Sequence, residues 1–461
     1  MQSIDKAKVI VTIGGAWGDE GKGKVSSFYS QNADLVIRAT GGANAGHTVF
    51  VNGKKLALHL VPGGIGYPNT TCLIGQGVVV DFETLFEEIE TLKSYGVYDV
   101  EDRLKISGTA CVLLSYHKVL DKVHESIKDN KVGTTGRGIG PAYADKINRI
   151  ALKVYDIFLP EEQLEKKLQV IMRAHMPLFE KYLQPGDAID AVSSVASKLK
   201  SYEPILKKMV VNGHEFVKSY LVDPSKTIVV EGAQAVRLSI ENGDYPNVTS
   251  SDSNTLGTLS GAHLSHKDVT EVVAIFKAYF SRVGNGPFPT EYPSHIDKDG
   301  KLPESYSKNG NDLMIGDRLR EFTGEYGATT KRPRRVGAFD AVLAKLSREV
   351  SGADYLCINH MDSIGEFGNQ EGFVEICTAY EYQGEIIDYY PDDIELTGVQ
   401  PTPIYTKFSG GWSLSGKETS FDEFPTRAKH FIRCIEKIVG VPVKYLGVGP
   451  KNEDLIIRDD V

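Results

Sequence analysis

The segment Gly14-Gly15-Ala16-Trp17-Gly18-Asp19-Glu20-Gly21-Lys22-Gly23-Lys24 packs two acids and two lysines among glycines, between a strand-like run and a helix-like one. In that setting backbone N–H groups and a helix N-terminus surround phosphate oxygens, and Lys22 adds a point charge. The phosphate-loop pattern G-x-x-x-x-G-K-[S/T] is met only in part. Ala16 stands at the first glycine, and Gly23 stands where a Ser or Thr would ligate Mg²⁺. Another oxygen must hold the metal, and Asp19, inside the loop, is the candidate. A second glycine-rich loop, Thr40–Thr48, also follows a strand-like run. Gly46 and Thr48 flank His47 and leave the backbone open to a ligand, and adjacent parallel strands would bring the imidazole within reach of the γ-phosphate region. The run Thr329-Thr330-Lys331-Arg332-Pro333-Arg334-Arg335 supplies guanidinium forks, which grip carboxylates bidentately where a lysine cannot. Beside two threonines and an apolar stretch, it reads as a binding loop rather than a solvated basic tail.

These loops need a scaffold. Short apolar runs alternate with helical patterns, which predicts an α/β fold: a large, mostly parallel central sheet flanked by helices. Strands are expected at Val9–Ile13, Asp34–Ala39, Thr227–Val230, Val272–Phe276 and Tyr355–Asn359. Each runs into a polar or glycine-bearing loop, where open parallel sheets bind ligands. If the first two strands are neighbours, they bring the two glycine-rich loops together. A helix is expected near Lys22–Ser30. Another follows Asp81, a plausible N-cap, with Phe82, Leu85, Phe86, Ile89 and Leu92 at helical spacing and a stop at Gly96. Residues 152–222 read as a helix-rich insertion within a single domain spanning 1–461.

At about 150 residues per domain, 461 residues allow roughly three domains or one large α/β unit. With 41% hydrophobic and 25% charged residues, a sizeable core is possible and wholesale disorder is excluded. The formal charge of −9 argues against a nucleic-acid coat, so any phosphate ligand must be held by local groups against the mean field. No apolar run reaches the ~18 residues of a membrane span, and the polar N-terminus does not read as a signal peptide. The five cysteines are odd in number, scattered and without a C-x-x-C pair, which predicts reduced thiols in a cytoplasmic protein.

The two loops together resemble those of adenylosuccinate synthetases. The string W-G-D-E-G-K-G-K is intact as Trp17–Lys24, and G-G-x-N-A-G-H-T as Gly41–Thr48. Further strings follow in the family's order: Gly133–Tyr143 with Asp145, Lys146 and Arg149; Glu231–Gln234 with Val248–Ser251; Arg282–Gly284 with Gly286–Glu291; Tyr326–Asp340; and Pro403–Tyr405, Gly411-Trp412 and Gly449-Pro450. The resemblance implies a P-loop-like GTP-binding topology with helical insertions. The implied reaction joins IMP and L-aspartate, with GTP and Mg²⁺, to give adenylosuccinate. It implies that Asp19 is the base at the purine N1, that His47 assists the moving phosphoryl group, and that Lys22 and Gln234 complete the reacting centre. The implied GTP contacts are Gly18, Glu20, Gly21, Lys22, Gly23, Lys24, Gly46, His47, Thr48, Arg334, His360, Asp362, Gly447, Gly449 and Pro450. The implied IMP contacts are Asp19, Asn44, Ala45, Gly46, His47, Thr135, Gln234, Thr249 and Arg332, with Arg149 reaching across a homodimer. Thr329, Thr330, Arg332 and Arg334 would take aspartate, and Asp19 and the Gly46 carbonyl would ligate Mg²⁺. No nucleic-acid or membrane partner is implied.

The chain departs from the family pattern in places. The guanine-reading string is Asn359-His360-Met361-Asp362, with His360 replacing the usual lysine, so ATP is a possible donor. Gly447-Val448 lacks the hydroxyl residues usual before Gly-Pro. Ala235-Val236-Arg237 follows Gln234 where Gly-Thr and an aliphatic residue are common, and Ala338 replaces a Trp. These changes raise an alternative: a related viral branch acts on dGMP, although that branch commonly lacks the aspartate retained here as Asp19.

Overall fold

The computed structural model describes residues 6–44, 46–51, 54–128, 134–184, 186–282, 284–297, 300–327 and 331–461, apart from the side chains of Thr48, Phe50, Lys55 and Glu395. The chain divides into two compact units. One comprises Met1–Val11, Tyr29–Ala233 and Thr249–Thr270; the other comprises Thr12–Phe28, Gln234–Val248 and Glu271–Val461.

In the first unit the strands run in the order Lys8–Gly14 (its opening residues), Thr227–Ala235, Leu35–Gly41, Thr71–Val80, Leu104–Ser107 and Val210–Val211. The described registers are parallel, with Arg38 opposite Glu231 on one side and Ile74 on the other. Leu35–Gly41 is buried along its whole length, which is why this segment carries a continuous apolar run rather than an alternating one. The two strands that lead into the glycine-rich loops are not neighbours, as the sequence had suggested. Thr227–Ala235 is inserted between them, because in parallel sheets a later strand reached by a long crossover can enter beside the first.

The helix after Asp81 forms as its spacing requires. Asp81 accepts a hydrogen bond from the Glu83 N–H at 3.2 Å, the helix spans Phe82–Ser94, and Gly96 takes a positive φ of 92° just past its end. Phe82, Leu85, Ile89 and Leu92 are buried, each contributing roughly 1.5–3 kcal/mol of apolar burial. The 152–222 segment carries the helices Glu161–Tyr182, Val192–Ser201, Glu203–Met209 and Gly213–Leu221, and lies within this first unit.

In the second unit the end of Lys8–Gly14 is followed across the sheet by Glu271–Lys277, Tyr355–Asn359, Val443–Gly447 and Leu455–Ile457, only the last antiparallel. A smaller sheet pairs Phe373–Tyr382 with Thr402–Ser409 and Glu385–Ile387. Helices Ala341–Ser351, Met361–Glu371 and Thr426–Val439 complete the unit. All five cysteines are free thiols, and among the described residues no helix is long and apolar enough to cross a membrane.

Candidate active site

Lys8–Gly14 ends in the first glycine-rich loop, and the Lys22–Ser30 helix opens directly after it. The turn is made by Gly18 and Gly21, with φ of 90° and 83°, and by Asp19 at 62°. Glu20 folds inward: Oε1 accepts from the Ala16 N–H at 3.1 Å and the Gly18 N–H at 2.7 Å, and Oε2 accepts from Lys22 Nζ at 2.8 Å. Glu20 is therefore a buried brace of its own loop. Lys24 Nζ donates to the carbonyls of Gly449 and Asp454, at 2.8 and 2.7 Å, joining the helix to the Gly449-Pro450 turn.

Asp19 projects a half-exposed carboxylate that pairs with Arg334 at 2.8 Å. The same guanidinium donates to Glu325 at 2.7 Å. Behind it, Glu325 also accepts from Lys277 Nζ and from the Tyr279 hydroxyl at 2.5 Å. Burial opposes ionisation of Glu325, but Lys277 and Arg334 outweigh it and hold the carboxyl down at about 2. Arg335 is likewise engaged, with Glu291 and the Gly286 carbonyl. The basic run is thus threaded into acids of the fold and is not a solvated tail. Arg332 lies exposed beside it.

The string Asn359-His360-Met361-Asp362 joins a strand to a helix. Tyr355–Asn359 ends at His360, which takes φ 64° and caps Met361–Glu371, so Asp362 lies in the helix's first turn. The His360 ring stands edge-on to Tyr279, with centroids 5.5 Å apart. Burial, then Lys277, lowers its pKa to about 4, so it is a neutral ring. Asn359 donates to the Glu20 carbonyl at 2.8 Å, linking this string to the phosphate loop.

In the first unit, Leu35–Gly41 delivers the second loop, and His47 opens a hairpin with Lys54–Leu58. Burial, then Arg38, lowers the His47 pKa to about 3, so its imidazole is uncharged at neutral pH. Glu88 accepts from the N–H groups of Leu60 and Val61, at 3.1 and 3.0 Å, and from that of His59, fixing the segment that follows the hairpin. The Asn44 side-chain oxygen is buried without a hydrogen-bond partner. Tyr143 ties two motifs together: its hydroxyl accepts from the Gly41 N–H at 2.9 Å and donates to the Gly77 carbonyl at 2.5 Å. Thr135 is exposed ahead of the Ile139–Ile147 helix, Thr249 is half-buried, and Arg149 is exposed with φ 64°. Ala45, Thr329 and Thr330, and the Thr48 side chain, lie outside the described residues.

Among the described residues, seven non-glycine positions have positive φ, and four of them are Asp19, Arg149, Gln234 and His360. Such conformations cost of order 1–3 kcal/mol and gather at functional sites. Four positions singled out from sequence thus carry that strain. Sequence reasoning missed the groups behind them. Arg38 and Lys277 were detectable as lone cations in or ending apolar strands, whereas nothing in the sequence marks Glu325 or Glu88.

The described residues hold no cluster of three or more acidic, His or Cys side chains fit to cage a metal. Mg²⁺ is often held by one or two protein oxygens acting together with substrate phosphates. The half-exposed Asp19 carboxylate and the exposed Gly46 turn offer hard oxygen donors of that kind.

The sequence profile of adenylosuccinate synthetase matches residues 11–456. The chain belongs to the adenylosuccinate synthetase family. It is 38% identical to the adenylosuccinate synthetase of Pediococcus pentosaceus over 455 residues, covering 98% of both chains. It is 39% identical to that of Heliobacterium modesticaldum over 452 residues, covering 97% and 98%. The structure of the fully ligated synthetase from Plasmodium falciparum matches with a TM-score of 0.84 at 33% identity, over 98% of this chain and all of that one. The cyanophage S-2L succinoaminodeoxyadenylate synthetase, bound to dGMP and dATP, shares the fold at 18% identity and a TM-score of 0.58, over 98% and 95% of the chains.

As a synthetase-family chain, it accommodates its departures internally. Ala235, Val236 and Ala338 are buried, and Arg237 is turned into the fold. Gly447 has a steric cause: a Cβ there would lie 2.3 Å from Asn359 Oδ1, so the side chain of Asn359 occupies the space a hydroxyl residue would need.

Proposed function

We propose that this chain ligates IMP and L-aspartate at the expense of GTP, giving adenylosuccinate, GDP and phosphate. The observation that carries the reading is Asp19: a half-exposed carboxylate at positive φ inside the phosphate loop, paired with Arg334. A purine 6-oxygen is a poor leaving group. Asp19 takes the N1 proton, making O6 a nucleophile toward the γ-phosphorus of GTP. The amine of aspartate then displaces the phosphorylated oxygen. Phosphoryl transfer is mostly positioning and charge stabilisation. Lys22 and the loop amides hold phosphates, and Gln234 hydrogen-bonds the purine and its 6-substituent. A neutral His47 assists as an N–H donor rather than as a cation, given its lowered pKa.

Asn44, Thr135 and Thr249 take the IMP phosphate, joined by Arg149 of a second copy in a homodimer. Arg332 and Arg334 receive the carboxylates of aspartate, and Asp362 reads guanine. Mg²⁺, held by Asp19 and the Gly46 carbonyl, would neutralise phosphate charge. The five free thiols fit a cytoplasmic enzyme.

The test is release of phosphate from GTP, with IMP and aspartate added separately and together. Release that needs both supports the reading, and release independent of both overturns it. Parallel arms with dGMP for IMP and ATP for GTP decide the alternatives raised by His360 and Ala235-Val236. A dGMP rate far above the IMP rate removes IMP as the substrate.

A further inference from the structure

Asp244, in the second unit, is buried and collects four donors. Oδ2 accepts from Trp17 Nε1 and from Arg282 Nη1, each at 2.6 Å, and Oδ1 accepts from Arg237 Nη2 and, at 3.4 Å, from the Tyr390 hydroxyl. Trp17 begins the W-G-D-E-G-K-G-K string two residues before Asp19, and Arg237 lies three residues after Gln234. The backbones are joined as well, because the Arg237 N–H donates to the Ala16 carbonyl at 3.0 Å. Arg237 also donates to the Asn242 carbonyl at 2.7 Å and lies over the Tyr390 ring at 4.6 Å. Its charge therefore stays inside the fold. Arg282 stacks on the Trp17 indole at 5.0 Å and donates to the Pro287 carbonyl at 2.6 Å.

We propose that Asp244 is a positioning residue that locks the Trp17 flank of the phosphate loop to the Gln234 loop, so that a nucleotide phosphate and a purine are held in register by one buried carboxylate. The role follows from charge and geometry. A carboxylate receiving four donors from four segments cannot move with one of them alone, and misplacement by an ångström costs up to ~10²-fold in rate. Arg237, where the family resemblance leads one to expect an aliphatic residue, then adds its own donor to this lock. The catalytic consequence rests on the function proposed above; the mechanical link does not.

Asp244→Asn leaves two buried guanidiniums short of counter-charge and tests folding as much as positioning. The decisive variant is Trp17→Phe, which keeps the ring contacts with Phe280 and Phe288 but removes the indole N–H. Amide hydrogen exchange on the full, unliganded chain should quicken by at least ~10-fold in both 14–24 and 234–248, and stay unchanged in the other central strands. Quickening confined to 14–24, or spread through the chain, overturns the proposal. In turnover, Trp17→Phe should lower kcat by about 10-fold alone but less than about 2-fold in a Gln234→Ala background, since a residue acting through another is non-additive with it. Fully additive losses also overturn it. A wild type without ligase activity removes the proposed function, while the exchange result still decides the lock.

Discussion

The Arg334 guanidinium lies 2.8 Å from the Asp19 carboxylate and turns its other edge to Glu325 at 2.7 Å. A residue the family resemblance gives to substrate is thus also the group that orients the proposed base. Asp19→Ala should lower turnover by at least ~10²-fold with the fold intact, the scale of a lost proton-transfer group. Arg334→Leu should lower kcat as well as raise the KM for aspartate. Arg332→Leu, at an exposed position, should mainly raise that KM. Steady-state kinetics with varied aspartate checks the contrast, and an unchanged kcat in Arg334→Leu contradicts the orienting role.

Glu325 makes the same network a determinant of acid stability. Its folded pKa of about 2 lies below the ordinary 4.5, so the unfolded chain takes up the proton first as pH falls. The stabilisation is complete above the unfolded value and is lost between roughly pH 5 and 2. Glu325→Gln should destabilise the protein at neutral pH by about 3–5 kcal/mol, because Lys277 and Arg334 lose a buried counter-charge. It should also flatten the dependence of denaturant midpoint on pH below 5. A variant with the wild-type pH slope refutes the assignment.

For His47 the sign runs the other way in charge but the same way in pH. A ring with folded pKa near 3 resists the proton that the unfolded chain binds near 6.5, so acid weakens the fold through this group as well. Its catalytic contribution should not titrate between pH 5 and 8. His47→Ala should lose at least ~10²-fold in turnover, whereas His47→Gln, which keeps a neutral N–H donor, should retain about ten times more. Equal losses in the two variants would point to an imidazolium instead.

The proposed preference for GTP rests on Asp362. Asp362→Asn replaces an acceptor-only group with a mixed donor and acceptor, and should reduce the ratio of kcat/KM for GTP over ATP by about 10²-fold. Gly447→Ser should not restore a family contact. Its Cβ meets Asn359, so thermal unfolding should show a loss of about 1–3 kcal/mol.

The legible parts of this molecule were those whose information is local. Strand runs such as Tyr355–Asn359, the Asp81 cap and the glycine-rich turns depend on neighbours in sequence, and they appear where read. The insertion of Thr227–Ala235 between the first two loop-bearing strands was not legible, because strand order is set by crossover packing some 190 residues apart. Likewise the pairings Lys277–Glu325, Arg282–Asp244 and Trp17–Asp244 join residues 48, 38 and 227 positions apart, which no spacing rule contains.

Arg149 gives the sharpest test of assembly. It sits exposed, at φ 64°, just past the end of the Ile139–Ile147 helix, whose Asp145 is clamped by His117 and His175 at 2.9 and 2.8 Å. An exposed arginine on so fixed a base suits a phosphate supplied by another copy. If each site borrows Arg149 from its neighbour, Arg149→Leu and Asp19→Ala proteins are each inactive alone. A mixed dimer then contains one site with both groups intact. Mixing the two at equal concentration, after dissociation and reassociation, should restore about a quarter of wild-type turnover: half the dimers are mixed and each carries one working site of two. No recovery, with subunit exchange verified by differently tagged chains, would mean that Arg149 serves its own subunit.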